Sequence, residues 1–193
     1  MPQTKSQRAV FALLTVIITV HAYVFFSLYV IHGANFVQWA SQIPGMEGNT
    51  SVIKAIRALG GVTVCGMQMP IWALVLIEFV LAYTLEMTVG SPLSFKLACK
   101  NFDPRSTHPV LFETAVVSAT VGVMCPTMSF IAAWLYYPYM NGFHLTTLLA
   151  DWLKLMCFNF PFAWFSQLFF IQPIVRRLFK ALYHKWLSNQ KQD

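Results

Sequence analysis

The chain has 193 residues, of which 57% are hydrophobic and only 10% are charged. A soluble protein of this composition would leave large apolar patches in water, so the composition excludes an ordinary soluble domain. The net charge of +6 does not indicate a nucleic-acid partner, because the basic residues lie at the ends of apolar stretches and form no basic face. We expect the lipid bilayer, with its anionic surface, to be the partner.

Four stretches of the sequence are almost free of charge: Ala9–Val30, Ala58–Leu85, Thr114–Tyr137 and Leu155–Val175. Each holds the roughly 20 apolar residues that a helix needs to cross the hydrocarbon core of a bilayer. Lipid offers no hydrogen-bond partner to a bare backbone group, so each stretch should be helical. The sequence therefore predicts an all-α integral membrane four-helix bundle, with residues 1–193 forming a single membrane domain.

Two ionisable residues interrupt the first two stretches. His21 lies midway along the first stretch, and Glu78 is the only acidic residue in the second. The two helices would run in opposite directions, so a span that begins near Met67 brings both residues to similar depth, where they could form a relay or a ligand site. The alternative is a neutral Glu78 that bonds to a neighbouring helix and a His21 that bonds to a backbone carbonyl. A span that begins near Ala58 would instead place Glu78 near the cytoplasmic edge.

A shorter helix is predicted just before the second stretch. Residues Ser51 to Leu59 have apolar side chains at helical spacing, with Lys54 and Arg57 between them. This pattern is typical of a helix that lies in the membrane interface.

Small residues recur along one face of the third stretch. Close helix packing in lipid uses such faces, so we favour packing over a role in lining a ligand site. The residues are Thr114, Ser118, Gly122, Cys125 and Ser129.

The fourth stretch contains three uncharged polar residues: Asn159, Gln167 and Gln172. With Glu78 and His21 they form a candidate intramembrane polar site. The run from Arg176 to Trp186 is expected to continue the fourth helix along the cytoplasmic surface.

The distribution of basic residues predicts the orientation. With four spans, ten of the 13 Lys and Arg residues lie on the side that holds the N-terminus, the middle loop and the C-terminus. Because cytoplasmic loops carry the excess of Lys and Arg, we expect both termini to be cytoplasmic.

The two helix pairs also show weak internal similarity, between residues 9–93 and residues 110–186. Parallel repeats of this kind occur in transporters, although identities this few also arise by chance between apolar helices. The matches pair Phe11 with Phe112, Val16 with Val117, Thr19 with Thr120, Val20 with Val121 and, in the second helices, Pro70 with Pro161.

Several short motifs resemble a known family. They are Asn101-Phe-Asp-Pro104, Met124-Cys-Pro-Thr-Met-Ser129, Asn159-Phe-Pro161 and Pro173-Ile-Val-Arg-Arg-Leu-Phe179. These motifs are similar to those of bacterial membrane proteins classified as domain of unknown function 2798. The resemblance implies a small protein of the bacterial inner membrane without an assigned activity or catalytic residues. Because the family's unit is often two helices, this chain would be a paired version.

The motifs of the common enzyme classes are absent from the sequence, so we do not expect an enzyme. The four cysteines are spread singly and the five histidines are scattered, so neither a metal site nor a cofactor is expected. The favoured hypothesis is transport or sensing of a small solute or a proton by a homo-oligomer. The alternative is a structural or accessory membrane protein whose polar residues only join helices.

Overall fold

The computed structural model describes residues 5–139 and 142–189, and most of them are helical. The elements in chain order are α1 (Lys5–Phe26), α2 (Gly33–Ala40), α3 (Val52–Ala58), β1 (Val62–Val64), β2 (Met67–Met69), α4 (Ile71–Leu85), α5 (Ser91–Asn101), α6 (Pro109–Leu135), α7 (Leu145–Phe165) and α8 (Gln172–Asn189). Three π-helical segments follow α1, α4 and α7 without a break: Ser27–Ile31, Glu86–Gly90 and Ser166–Ile171. The all-α class is confirmed.

Within residues 5–139 and 142–189, three continuous helical segments are long and apolar enough to cross a membrane: Ser6–Ile31, Ile71–Asn101 and Pro109–Leu135. In the most apolar part of each segment, no more than 22% of the residues are buried. Most of these apolar side chains are therefore at least partly exposed, which suits a surrounding of lipid and not of water. The chain is accordingly a membrane protein.

The second apolar stretch differs from its prediction. The short helix predicted before it is present as α3, but residues 62–69 form an antiparallel hairpin in which Val62 pairs with Met69. Helix α4 begins only at Ile71. The prediction of one helical span over Ala58–Leu85 was therefore wrong for residues 59–70, nearly the first half of the stretch.

Glycines make this hairpin possible. The turn consists of Cys65 and Gly66, with φ angles of 49° and 79°, and two consecutive positive φ values match the twist of the flanking strands. At the base of the hairpin, Gly61 has a φ of 125°, and a Cβ there would lie 2.2 Å from the carbonyl oxygen of Met69. The Gly61 position therefore accepts no side chain.

The fourth apolar stretch is helical as α7 and runs through Ser166–Ile171 into α8. The predicted continuation from Arg176 to Trp186 is confirmed as a helix, since α8 extends to Asn189. This stretch is not among the three segments identified as membrane spans in the described part of the chain. Its polar residues, such as Asn159 and Gln167, lower its hydropathy. A fourth span stays a prediction.

The chain divides into two compact units. Of the residues that the structure describes, unit A comprises 5–19, 82–126 and 160–189, and unit B comprises 20–81, 127–139 and 142–159. The core of unit B includes Ala133, Tyr137 and Leu148, against which Trp152 packs. In the same unit the backbone N–H of His144 donates to the Tyr137 hydroxyl at 2.7 Å, which fixes the entry into α7.

Candidate intramembrane polar site

Glu78 lies in unit B, about two turns, or about 10 Å, from the start of α4. Its carboxylate accepts a hydrogen bond of 2.5 Å from the hydroxyl of Tyr136, which directly follows α6. The neighbouring carbonyl of Leu135 accepts a 2.7 Å bond from the backbone N–H of Cys65 at the hairpin turn. Two hydrogen bonds thus connect the end of α6 with the hairpin and with α4, and one of them uses the intramembrane carboxylate.

His21 is exposed on α1. The structure gives Glu78 a hydrogen bond to Tyr136, a residue that the sequence analysis did not include in the candidate polar site. The pairing of His21 with Glu78 stays a prediction.

Asn159 connects α7 to α6 within unit B. Its side-chain amide donates to the hydroxyl of Ser129 at 3.3 Å, and Ser129 is only 2% exposed. The contact joins a residue of the candidate polar site to a residue of the predicted packing face.

Unit A contains the other two predicted polar residues. Gln167 lies in Ser166–Ile171 and donates to the Thr19 hydroxyl of α1 at 2.8 Å. The Thr19 hydroxyl in turn donates to the carbonyl of Thr15 at 2.7 Å. The side-chain amide N–H of Gln172 donates to the side-chain oxygen Oε1 of Gln167 at 3.4 Å. These residues form a polar chain that links the fourth helix to the first.

The predicted packing face on α6 has a mixed environment. Ser118 accepts a 3.1 Å bond from the indole N–H of Trp164, and Cys125 is buried. The Thr114 hydroxyl donates to the carbonyl of Val110 in its own helix, while a Cβ added at Gly122 would meet nothing within 4 Å. That the whole face serves packing stays a prediction.

Sequence reasoning missed Glu86. It lies in Glu86–Gly90 and accepts a 2.7 Å hydrogen bond from the hydroxyl of Ser91. Its carboxylate packs over Gly90, where a Cβ would lie 2.6 Å from Glu86 Oε2 and 2.8 Å from Met124 Sδ. The sequence does contain a sign of this position, because apolar residues continue beyond Leu85. Glu86 therefore lies inside a continuous helix and not at the end of that helix.

The chemistry of the arrangement is hydrogen bonding between helices, together with two carboxyl groups that can bind a proton. No group of three or more His, Cys, Asp or Glu residues that could hold a metal ion occurs in residues 5–139 and 142–189. His32, which follows the first membrane span, has its pKa lowered by burial and by the nearby Lys154, while Asp151 acts in the opposite direction.

Comparison with known protein families gives a match over part of the chain. Residues 111–183 match the family described as Domain of unknown function (DUF2798). The matched segment runs from the start of α6 through α7 into α8, so the predicted resemblance is confirmed there. Comparisons with curated proteins and with solved structures give no match.

Proposed function

We propose a role from the polar contacts, because the family that residues 111–183 match has no known function. In this proposal the chain is a multi-pass protein of the bacterial inner membrane with a structural or accessory role and no catalytic activity. One observation carries this proposal. Glu78, Asn159 and Gln167 each hydrogen-bond to a side chain outside their own helix. The polar residues that would line a transport site are thus engaged in holding helices together.

Energetics are compatible with such a role. A hydrogen bond between membrane helices contributes on average about 0.6 kcal/mol and at most about 1.7 kcal/mol. Each bond is therefore modest, but several bonds distributed over both units fix the rotation of the helices. An apolar helix surface alone specifies that rotation poorly, because lipid and protein side chains are equally apolar.

Proton sensing by Glu78 is a second candidate function, favoured by the presence of a titratable carboxyl group in α4. Replacing Glu78 with Gln keeps the shape and the acceptor oxygen but removes titration, whereas Leu removes both. In the structural role, Glu78→Gln leaves assembly and pH response unchanged while Glu78→Leu impairs assembly. If Glu78→Gln abolishes a pH response in reconstituted vesicles, the sensing function replaces the structural one.

For the topology, we propose four spans with both termini in the cytoplasm. The fourth span would be formed by α7 and Ser166–Ile171, whose exposed aromatic side chains Phe165, Phe169 and Phe170 suit a lipid surface. The test uses a reporter enzyme that is active only on the outer side of the inner membrane. Fused after Asp193, the reporter should be inactive, and inserted near Gly48 it should be active. An active C-terminal fusion would mean three spans.

For the domain organisation, we propose two copies of a two-helix unit, residues 9–93 and 110–186. The pattern of burial supports this proposal. Val20, Val24 and Leu28 are buried in the first copy, and so are Val121, Cys125 and Ser129, their counterparts when Phe11 is paired with Phe112. The paired residues Thr19 and Thr120 both donate a side-chain hydrogen bond one helical turn back.

The second helices support the same repeat in a different register from the predicted one. Pairing Glu86–Gly90 with Ser166–Ile171 aligns Pro92 with Pro173, and not Pro70 with Pro161. In this register the buried positions coincide: Ala82, Gly90, Ser94 and Ala98 match Ala163, Ile171, Val175 and Phe179. Glu78 then corresponds to Asn159, and Glu86 to Gln167.

We also propose that copies of the chain associate in the membrane. Gly122 supports this proposal, since the space above it is open within the chain and small residues allow helices to approach closely. Replacing Gly122 with Leu should shift the oligomeric state in detergent toward the monomer. An unchanged oligomer would remove Gly122 from the interface.

A further inference from the structure

A charged pair lies at the start of α6, within unit A. Arg176 of α8 and Glu113 of α6 form an ion pair in which Nη2 and Oε2 are 2.7 Å apart. The side chains are 42% and 18% exposed, respectively. Both groups therefore remain accessible to a ligand while holding each other in place.

The pair borders a pocket of about 160 Å³. This volume corresponds to about five water molecules at about 30 Å³ each, which suits a small headgroup. The pocket has a polar part, formed by the ion pair with Thr114 and Gln172, and an apolar part, which includes Val110, Val117 and Leu168.

We infer that this pocket binds the headgroup of a phospholipid that carries both a phosphate and an amine. The guanidinium of Arg176 has several N–H donors in a planar fork, which matches the oxygens of a phosphate. The carboxylate of Glu113 is suited to the ammonium group of the same headgroup. A ligand with both charges satisfies both side chains, whereas a purely anionic headgroup leaves Glu113 facing a second negative charge.

The apolar lining favours a lipid over a free aminoalkyl phosphate. Val110 is 63% exposed and the adjacent Leu111 is 52% exposed, so the pocket opens onto the apolar surface of α6, where acyl chains would lie. The inference goes beyond the proposed function and requires only that α6 is embedded in the membrane.

The two halves of the chain differ at this pocket. In the repeat register given above, the counterparts of Glu113 and Arg176 are Ala12 and Phe95. The corresponding helix pair in the first repeat thus has two apolar residues where the second repeat has the ion pair. Under the proposed repeat, packing of the helix pair does not require an ion pair at these positions, which leaves the two charges available for a ligand.

Native mass spectrometry of the full chain, released from detergent and titrated with defined lipids, tests the inference. Phosphatidylethanolamine should bind in preference to phosphatidylglycerol, and Arg176→Gln should lower its affinity on the order of tenfold. Arg177→Gln is the matched control, because Arg177 is exposed beside the pocket and does not line it; its effect should stay within about twofold. Equal losses in the two variants would overturn the inference.

A second pair of variants separates loss of binding from loss of folding. Val110→Trp adds bulk to the apolar lining of the pocket while keeping both charged residues, and should abolish lipid retention. Leu111→Trp, one position along and outside the lining, should retain the lipid. Free phosphoethanolamine at millimolar concentration should not displace the lipid. Displacement by the free compound, or equal retention in both Trp variants, would refute a lipid site at this pocket.

Discussion

The hydrogen bond between Tyr136 and Glu78 gives the sharpest test of the structural role. Replacing Tyr136 with Phe removes the donor and leaves the Glu78 carboxyl without it. An acceptor left unsatisfied when buried costs about 1–3 kcal/mol, but couplings between membrane helices reach at most about 1.7 kcal/mol. Since Glu78 is only partly buried, we expect Tyr136→Phe to lower the free energy of unfolding by about 1 kcal/mol.

A double-mutant cycle isolates the contact. Tyr136→Phe, Glu78→Leu and the double variant would be unfolded with sodium dodecyl sulfate in mixed micelles, with tryptophan fluorescence as the signal. The coupling free energy should lie between about 0.6 and 1.7 kcal/mol. Glu78→Gln serves as the control, because Gln offers the same acceptor oxygen and should cost less than about 0.5 kcal/mol. A coupling that is zero within error would refute the assignment of Glu78 to holding helices together.

Two further predictions concern the hairpin and the loop after α1. Gly61→Ala should destabilise the hairpin by more than about 2 kcal/mol, because the new Cβ would meet the Met69 carbonyl at 2.2 Å in a strained backbone conformation. In the control Gly48→Ala, φ is 75° but the space is open, so the free energy of unfolding should fall by only about 1 kcal/mol. Limited proteolysis of the hairpin distinguishes the two variants, and equal effects would contradict the close contact at Gly61. The pKa of His32 is lowered in the folded chain, so as the pH falls the unfolded chain takes up a proton on His32 at a higher pH than the folded chain does. The contribution of His32 to the free energy of unfolding is therefore complete above about pH 6.5 and decreases as the pH is lowered toward the folded pKa. His32→Gln should flatten that part of the unfolding profile between pH 7 and pH 5, and a profile identical to that of the parent chain would show that His32 does not contribute.

Hydropathy predicted the helices well but missed a hairpin. Residues 62–69 alternate apolar and polar side chains inside a longer apolar run, and a hydropathy window does not separate this pattern from a helix. The local signal was present in Gly60, Gly61 and Gly66, all of which adopt positive φ. Because helical structure begins only at Ile71, Glu78 lies in the first third of the continuous segment Ile71–Asn101 and not at its centre.

The sequence proposed residues for a polar site, and their role as one site stays a prediction; their contacts could not be predicted. Sequence gives the depth of a residue along a span, and depth singled out Asn159 and Gln167. The rotation of each helix about its own axis decides which neighbour a side chain contacts, and that rotation could not be read from a single sequence. The partners Ser129 and Thr19 are small hydroxyl residues like many others in the chain. Tyr136 lies beyond the end of α6, so helical periodicity gave no reason to pair it with Glu78.

The π-helical segments Glu86–Gly90 and Ser166–Ile171 each form a turn that is wider than an α-helical turn. These wide turns determine where the chain would tolerate the deletion of a residue. From Ala82 to Gly90 and from Ala163 to Ile171 the interior stripe advances by eight residues, whereas two regular α-helical turns account for only about seven. The extra residue is absorbed within each wide turn. Deleting one residue there should therefore restore regular winding without rotating the downstream helix, while the same deletion a turn earlier or later would swing every following side chain by about 100°.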